Sequence, residues 1–377
     1  MVTVLSGRIG KLSFPNIRSP LAIVGCFASG NIFSATSSFN QLPSNGSVLL
    51  DRHSSFMRRP AARFNASPGN PGSSPNVNLV GGPGGNDNIM KDIEIKRLDG
   101  VDIAVIHKCW HEAFSDYQLP FQLPLERLRV RLSQVNYNPT LSYGAFSGDK
   151  LVGFWLSGYR EINGKKHGYD AGTAIIPEWR GEGLSGKLFS VVEDTLRKTN
   201  VSQYLLEVFC DNHSAINLYK KNSFLESRIL HCYRVEMFNV DSVADERAFS
   251  VRKTSLSDLE GIYSDFLDYV PSWQNTWLAM RSAEESTMPM VVEDDSGVVG
   301  YGIFQPISRR ISQMGFRKNV DQDAVARVLV KKFYEKVGNT GELEVVNVPD
   351  GDSVIHDLLP RIGFSHLASL YEMKKQL

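Results

Sequence analysis

Cysteine is scarce in this sequence, which has four in 377 residues: Cys26, Cys109, Cys210 and Cys232. No two of them form a CxxC pair, and no Cys/His cluster has the spacing of a zinc site. No apolar run reaches the ~18 residues that a membrane-spanning helix needs. We therefore expect a protein of a reducing compartment, without a metal site and without a membrane partner.

An excess of either charge is also lacking, because 41 Lys and Arg residues balance 41 Asp and Glu residues. A nucleic-acid-binding protein usually shows a basic excess, so the composition argues against a nucleic-acid partner. The charge is unevenly placed: residues 1–89 carry net +5 and residues 90–377 carry net −5. An acidic body suits a cationic amine as substrate.

Residues 1–90 differ in composition from the rest of the chain. They are rich in Ser, Asn, Gly and Pro, and the first fifty contain no Asp or Glu. A segment of this kind buries too little apolar surface to offset its chain entropy, so we expect a disordered tail. A stretch with Arg and Ser but no acids is also typical of an organelle transit peptide. The predicted location is cytoplasmic, or a mitochondrion or plastid if the tail is such a signal; alternatively, Met90 is the natural start.

Residues 91–240 show alternating signals for strands and helices. Apolar residues at helical spacing predict a helix over 101–114, and Ser147-Gly148-Asp149-Lys150 predicts a tight turn between two strands. The order of predicted elements is β-α-α-β-β-β-α-β-α-β-β, with the last two strands near 224–229 and 232–238. That order predicts an α/β (α+β) domain with a mixed sheet and helices on both faces.

The same order returns, more faintly, in residues 248–377. A strand at 249–253 and a helix at 257–267 come first, and the turn Asp294-Asp295-Ser296-Gly297 matches the earlier one. The run Arg361-Ile362-Gly363-Phe364 resembles Lys221-Asn222-Ser223-Phe224. A repeat of about 140 residues is far too long for a solenoid, so we interpret the chain as two copies of one domain.

The strongest local motif is Pro177-Glu178-Trp179-Arg180-Gly181-Glu182-Gly183-Leu184-Ser185, between a predicted strand and a predicted helix. Glycines permit a tight turn with exposed N–H groups, and a helix start adds the positive end of its dipole; together they suit a pyrophosphate. With Gly186 the run also satisfies G-x-G-x-x-G, so a nucleotide site of the Rossmann type stays open. No strand ends in an acid about 20 residues later, however, as ribose binding requires.

Together with a second block, this motif resembles the GCN5-related N-acetyltransferase (GNAT) family. Residues 180–185 fit the family pattern Q/R-x-x-G-x-G/A, with Ser185 in place of the last small residue. The second block fits L-E-V, N-x-x-A-x-x-x-Y and G-F, with Ser in place of Gly: Leu206-Glu207-Val208, then Asn212 to Tyr219, then Ser223-Phe224. The resemblance covers residues 92–240. It implies two tandem GNAT-like domains, each a mixed, mostly antiparallel twisted sheet flanked by helices.

The resemblance also implies a reaction and a set of site residues. A GNAT enzyme moves the acetyl group of acetyl-CoA to a primary amine by direct attack of the amine on the thioester, with no metal. Backbone N–H groups would bind the CoA pyrophosphate at Arg180, Gly181, Glu182, Gly183, Leu184 and Ser185. Backbone groups of Ile175 and Ile176 and the side chain of Asn212 would bind the pantetheine arm. Tyr219 would donate a proton to the departing thiolate. The alternative is that Tyr219 has no catalytic role and is an aromatic residue packed under the helix.

The general base is less well defined by the resemblance. Glu207 precedes Tyr219 by twelve residues, as in the family's ribosomal-protein alanine acetyltransferases, where that Glu serves as base. A Glu among apolar neighbours suits such a role. The alternative is a Glu that pairs with a cation across the sheet, and Asp170 and Glu178 are further candidates.

Acceptor binding has two candidate residues, Asp116 and Tyr117, at the bend between the first two helices. The carboxylate of Asp116 can bind the cation of the acceptor, and an aromatic ring can pack against the acceptor's aliphatic stem. The alternative is a capped helix with a small satellite core. We interpret His167, His213 and His231 as lone structural or surface histidines, because none lies in a dyad.

The second copy departs from the family pattern where chemistry would occur. The turn at 317–323 has no Gly and two acids, Asp321 and Asp323, which would repel a pyrophosphate. Leu359 stands where the first copy has Tyr219. We therefore predict that residues 248–377 have lost CoA binding and serve as a scaffold or as a wall of the acceptor site.

The sequence thus predicts an acetyl-CoA-dependent N-acetyltransferase with its catalytic domain at 91–240 and a degenerate copy at 248–377. The acceptor is a small-molecule amine or a peptide N-terminus, and the protein is a monomer or homodimer. The alternative is a non-catalytic, CoA-binding regulatory or interaction protein on the same fold.

Overall fold

Strands and helices alternate through both predicted copies. The computed structural model describes residues 92–377 except 117–122, 241–247 and 352–353. The tail at 1–90 and Tyr117 therefore lie outside the described residues. In the first half, residues 92–240, the elements are β1 Glu94–Arg97, α1 Ile103–Ala113, α2 Leu125–Gln134, β2 Tyr143–Ser147, β3 Lys150–Ile162, β4 Lys165–Ile175, α3 Leu184–Lys198, β5 Gln203–Phe209, α4 His213–Lys221 and β6 Leu225–Val235.

The second half, residues 248–377, repeats this order with three short helices near its start where the first half has two longer ones. Its elements are β7 Ser250–Lys253, α5 Leu256–Leu259, α6 Tyr263–Phe266, α7 Trp277–Ser282, β8 Met288–Asp294, β9 Gly297–Gln305, β10 Arg310–Phe316, α8 Gln322–Lys336, β11 Leu343–Pro349, α9 Val354–Arg361 and β12 Ser365–Gln376. Polar residues begin several helices: Asp102 accepts from the Ala104 N–H at 2.8 Å, and Asp321 caps α8.

Among the described residues, all twelve strands belong to one sheet, in the order β1-β2-β3-β4-β5-β12-β6-β11-β10-β9-β8-β7. Pairing is antiparallel except for β4 with β5 and β10 with β11. The predicted mixed, mostly antiparallel sheet flanked by helices is confirmed. The boundaries at 240 and 248 stay a prediction, because residues 92–377 form one compact unit.

The two halves exchange their last strands. β12, from the end of the chain, lies between β5 and β6, and β6 pairs with β11 of the second half. Met373 of β12 therefore lies in the apolar core of the first half, while Tyr233 and Val235 of β6 lie in the core of the second. Each half thus completes the core of the other.

Three predictions of local structure were wrong. The two strands expected near 224–229 and 232–238 are one strand, β6, because it pairs continuously with β12 instead of folding back on itself. The helix expected at 257–267 is broken into α5 and α6, with Gly261 between them. β12 itself was not predicted.

Both halves contain the same irregularity next to a gap in the sheet. β4 has one extra residue, Ala171, between the pairs Ser157–Asp170 and Leu156–Gly172. β10 has an extra Ser312 at the corresponding place. A bulge of this kind bends its strand and ends regular pairing, and β4 pairs with β5 only over 167–169 and 203–205. The two strands therefore separate from Asp170 onward.

The strand exchange predicts that the halves unfold together. Met373→Ala, in β12 of the second half, should cost about 2–5 kcal/mol, since a fully buried side chain is lost. It should also speed amide hydrogen exchange in β5 of the first half. Urea unfolding followed by Trp fluorescence and hydrogen exchange by mass spectrometry measure both effects.

The matched control is Gln376→Ala, an exposed position of the same strand, which should change stability by less than ~0.5 kcal/mol. Two separate unfolding transitions, or an effect of Met373→Ala confined to the second half, would contradict the exchange.

Candidate active site

The loop before α3 has the geometry of an anion-binding turn. Gly181 and Gly183 have φ values of 86° and 70°, which favour glycine. A Cβ added at either glycine, or at Gly186, would meet no atom within 4 Å, so the space above the loop is open. The first turn of α3 has no acid, and no side chain caps it. Its first backbone N–H groups therefore remain available for an anion.

Arg180 turns its side chain inward, away from this open space. Its guanidinium donates to Asp116 at 2.6 and 3.2 Å, and its Nε donates to the Ile175 carbonyl at 3.0 Å. The guanidinium thus ties the loop to the end of α1. Asp116 already pairs with a cation, so the structure gives it a structural partner in place of the predicted substrate ammonium.

The predicted pantetheine contacts are placed unevenly. The Ile176 N–H donates to the Val152 carbonyl at 3.0 Å, which commits it to β3. The Asn212 side chain caps α4 by accepting from the Ala215 N–H at 3.1 Å. The part of the predicted pantetheine-binding edge that these bonds leave is the backbone of β4 beside the gap, which ends at Ile175.

Tyr219 lies at the base of the gap between β4 and β5. Its hydroxyl donates to Oδ2 of Asp170 at 2.9 Å, and both side chains are fully buried. The Tyr219 ring contacts Trp155 edge-on, at 6.1 Å between ring centroids. Burial, together with the neighbouring Asp170 carboxylate, raises the pKa of Tyr219 well above its usual range. Tyr219 is therefore a protonated donor at neutral pH.

Asp170 has an altered acidity because of its position at the bulge. Burial raises the pKa of Asp170 to about 6, and the bonds from Tyr219, Gly172 and Thr173 limit the rise. The Gly172 N–H donates to Oδ1 at 3.0 Å and the Thr173 hydroxyl to the carboxylate at 3.1 Å. A carboxylate with a pKa near 6 can accept a proton at neutral pH and release it again.

Glu207 lies in a different network, which joins the halves. Its Oε2 accepts from Tyr169 at 3.0 Å, from Gln274 at 2.7 Å and from Asn347 at 2.8 Å. The side chain is fully buried. These three donors are neutral groups, and they hold Oε2 in place.

Residues 273–275 of the second half cover this network. Trp273 stacks on Tyr169 with ring centroids 5.2 Å apart. The Arg160 guanidinium lies over the Trp273 ring, 4.4 Å from its centroid. Gln274 accepts from Arg131 at 2.9 Å. Sequence reasoning missed these residues, since no local motif marks them.

The corresponding region of the second half is already occupied by its own residues. Asp321 caps α8 by accepting from the Ala324 N–H at 3.0 Å, and Asp323 pairs with Arg361. Beside β10, a Cβ on Gly315 would lie 2.8 Å from the Phe266 carbonyl, so α6 covers this strand. Leu359 is buried where the first half has Tyr219. These contacts agree with the predicted loss of CoA binding.

The described cysteines are unsuited to nucleophilic chemistry. Burial raises the pKa of Cys232 to about 12 and that of Cys109 further, so both thiols stay protonated. All three described cysteines are free. Among the described residues, no helix is both long and apolar enough to cross a membrane.

The interpretation of His231 as a lone histidine was wrong. Its Nδ1 lies 3.0 Å from the Ser369 hydroxyl, and its ring is 4.8 Å from that of His356 between centroids. Ligand atoms of His231, Asp350 and His356 lie within 4.8 Å of one another. His231 lies on β6 and His356 on α9, so the fold brings together residues that are more than a hundred positions apart in the chain. No sequence spacing could indicate such a cluster.

Comparison with known proteins identifies the fold. A tandem GNAT protein from the clavulanic acid biosynthesis pathway superposes with a TM-score of 0.58 at 11% identity, over 76% of this chain and 98% of that one. A GCN5-related N-acetyltransferase from Sphaerobacter thermophilus gives 0.56 at 15% identity, over 75% and 95%. At such identities the likeness shows the fold alone, which is that of a tandem GNAT protein.

Sequence similarity is confined to the first half. Residues 107–224 match the acetyltransferase (GNAT) family. N-alpha-acetyltransferase 30 from Schizosaccharomyces pombe is 28% identical over 96 residues, which cover 25% of this chain and 64% of that protein, less than two thirds of its length. The first half is therefore similar to the GNAT family over residues 107–224.

The contrast between α3 and α8 predicts one CoA site per chain. Ser185→Asp places an acid in the first turn of α3, as Asp323 does in α8, and should weaken CoA binding at least tenfold by repelling the pyrophosphate. Ser185→Ala should leave affinity within about threefold, because the backbone donors are unchanged. Calorimetric titration of the full chain with CoA measures stoichiometry and affinity; two sites per chain, or equal affinities for both variants, would contradict the assignment.

Proposed function

We propose that the first half transfers the acetyl group of acetyl-CoA to a primary amine. The observation that carries this proposal is the 2.9 Å hydrogen bond from Tyr219 to Asp170 at the gap between β4 and β5. It pairs a protonated phenol with a carboxylate of pKa about 6 beside the opening in the sheet. An acid and a base within one hydrogen bond of each other suit a reaction that moves one proton in and one proton out.

The donor end is supported by the loop at 180–186. Its open glycines and the uncapped start of α3 fit a pyrophosphate. The thioester end of the same molecule would then lie along β4, toward the bulge at Ala171. Similarity to the GNAT family supports acetyl-CoA as the donor, and the similarity to an N-alpha-acetyltransferase supports an α-amine as the acceptor.

The chemistry removes two protons from the attacking nitrogen and adds one to the sulfur. Asp170 takes the first proton from the ammonium group of the acceptor, and the free amine attacks the thioester carbonyl. The nitrogen of the tetrahedral intermediate then releases its second proton to water. When the C–S bond breaks, the sulfur leaves as a thiolate and Tyr219 donates its phenolic proton to it. The proton held by Asp170 then passes to the Tyr219 oxygen along their hydrogen bond, which restores both groups.

Glu207 remains the second candidate for the base, but its contacts favour a positioning role. Three hydrogen bonds to Oε2 hold the Glu207 carboxylate against Tyr169, Gln274 and Asn347, which suits a residue that fixes its neighbours. Asp170 is also in direct contact with the proposed acid. We therefore assign Asp170 as base and Glu207 as the residue that fixes Tyr169 and Gln274 beside the gap.

A CoA-binding protein without catalysis is the second candidate function. The observation that favours it is the complete burial of both Tyr219 and Asp170. In that case CoA would bind with normal affinity and no amine would be acetylated.

Tyr219→Phe should lower kcat about a hundredfold, because the thiolate loses its proton donor. CoA affinity should stay within about threefold, since the ring packing is kept. Thiol release from acetyl-CoA across an amine panel, with calorimetry for CoA, measures both. Tyr143→Phe is the control and should retain activity, because the Tyr143 hydroxyl contacts Thr195 of α3 and neither Tyr219 nor Asp170. Unchanged turnover in Tyr219→Phe would remove Tyr219 as the acid, and no turnover in the unaltered protein with any amine would favour the non-catalytic function.

The pH dependence should distinguish the two candidate bases. Because Asp170 must be deprotonated to act, kcat/KM should fall as the pH drops below about 6. Asp170→Asn should lower kcat/KM about a hundredfold or more, and its pH profile should lack this fall at low pH, the acid limb. Glu207→Gln should retain the limb and mainly raise KM. If Glu207→Gln abolishes the limb while Asp170→Asn keeps it, Glu207 is the base.

A further inference from the structure

A crevice rich in arginine opens between α2 and the β9–β10 connection. Its lining includes Arg127 and Arg131 of α2 and Gln305, Ser308 and Arg310 of the second half, and none of its ten lining residues is an acid. The crevice has about 30 Å³ of room for water-sized groups. Since one water needs ~10–15 Å³ on such a measure, it can hold ~2 such groups, about the size of a carboxylate.

Neighbouring contacts hold the three guanidinium groups in place. Arg127 donates to the Ile307 carbonyl at 3.1 and 2.8 Å, and Arg131 donates to Gln274 at 2.9 Å. The Arg310 Nε lies 3.7 Å from a Glu344 oxygen. Burial lowers the pKa of Arg310; Glu344 opposes the effect, and the Arg131 and Arg127 cations add to it. The lining of the crevice therefore carries three guanidinium groups and no carboxylate.

Gln305 adds a neutral donor to the same crevice. Its side chain is 2% exposed, and its Oε1 accepts from the Ser308 hydroxyl at 3.2 Å. Its Nε2 has no hydrogen-bond partner among the described residues. A buried amide N–H without an acceptor is costly, and a bound anion would supply that acceptor.

Arg131 connects the crevice to the gap in the sheet. Its Nη2 lies 3.4 Å from the carbonyl of Ala171, the extra residue of the β4 bulge. Its Nη1 contacts Gln274, which in turn donates to Glu207. One side chain therefore separates the crevice from the strand where the acceptor amine would react.

We propose that this crevice binds a carboxylate of the amine acceptor, so that the preferred substrates are amines that also carry an acidic group. This inference rests on the proposed acetyl transfer. Two sources share the chemistry: a free amino acid and a peptide whose first residue has an acidic side chain. Guanidinium groups suit this role because they bind carboxylates through two parallel hydrogen bonds. The acidic net charge of residues 90–377 suits a cationic amine, and the arginines that line the crevice suit a carboxylate on the same acceptor.

The test compares matched acids and amides at equal concentrations of free amine. One arm uses alanine against alaninamide, and the other uses aspartyl-initiated against asparaginyl-initiated peptide amides. In at least one arm, kcat/KM should be ten times or more higher for the acid. Arg127→Gln should bring that ratio close to one, mainly through KM, and Arg127→Lys should restore part of it.

Arg129→Gln is the matched control, because Arg129 is an exposed residue of the same helix that pairs with Glu126 and does not line the crevice. It should leave the ratio unchanged. Equal rates for acids and amides, or a ratio unaffected by Arg127→Gln, would overturn the inference.

Binding measurements separate this inference from the proposed function. Calorimetry with the same acids in the presence of CoA should show binding that Arg127→Gln weakens at least tenfold. If the acids bind in this way but no acceptor is acetylated, the anion site stands and the proposed transfer fails. If acids are acetylated no faster than amides and bind no better, the transfer stands and the anion site fails.

Discussion

The pairing of β12 between β5 and β6 is the contact on which the rest of the structure depends. Without it, β5 would expose an unpaired edge along its length, and such edges associate with other chains. The exchange also places corresponding positions of the two halves against each other. Glu207 is the fifth residue of β5 and Asn347 the fifth of β11, and they share a 2.8 Å hydrogen bond. The point where the duplicated halves meet is thus also the buried wall of the candidate site.

The halves keep the same backbone irregularity but use it differently. A bulge and a neighbouring gap occur at Ala171 in the first half and at Ser312 in the second. In the first half, the gap leads to Tyr219 and to a glycine loop with open space above it. In the second, carboxylates cap the helix and α6 covers the strand. The two halves therefore share the backbone geometry and differ in the side chains around it, as is expected when the bulge is needed to shape the sheet.

Local features of the site could be predicted from the sequence, and long-range ones could not. The loop at 180–186, the cap formed by Asp321 and the position of Tyr219 depend on residues close together in the chain, where turn and capping rules apply. The partners of Glu207 could not be predicted, since Gln274 and Asn347 lie 67 and 140 residues away from it. The exchange of β6 and β12 has no local signal either, because a strand carries the same alternating pattern whichever sheet it joins. Asp170 was only a reserve candidate as base for a related reason: its contact with Tyr219 spans 49 residues.

The second half contributes side chains next to the candidate site of the first half. It supplies Trp273 and Gln274, which contact Tyr169 and Glu207 next to the gap, and it supplies Arg310 and Gln305 to the arginine crevice. The donor loop belongs wholly to the first half, whereas the side chains around the acceptor side come from both. Changes in the second half can therefore alter which amine fits while leaving the binding of acetyl-CoA untouched. With the proposed donor site in the first half alone, such a division lets acceptor preference change at residues that do not touch the donor loop or Tyr219 and Asp170.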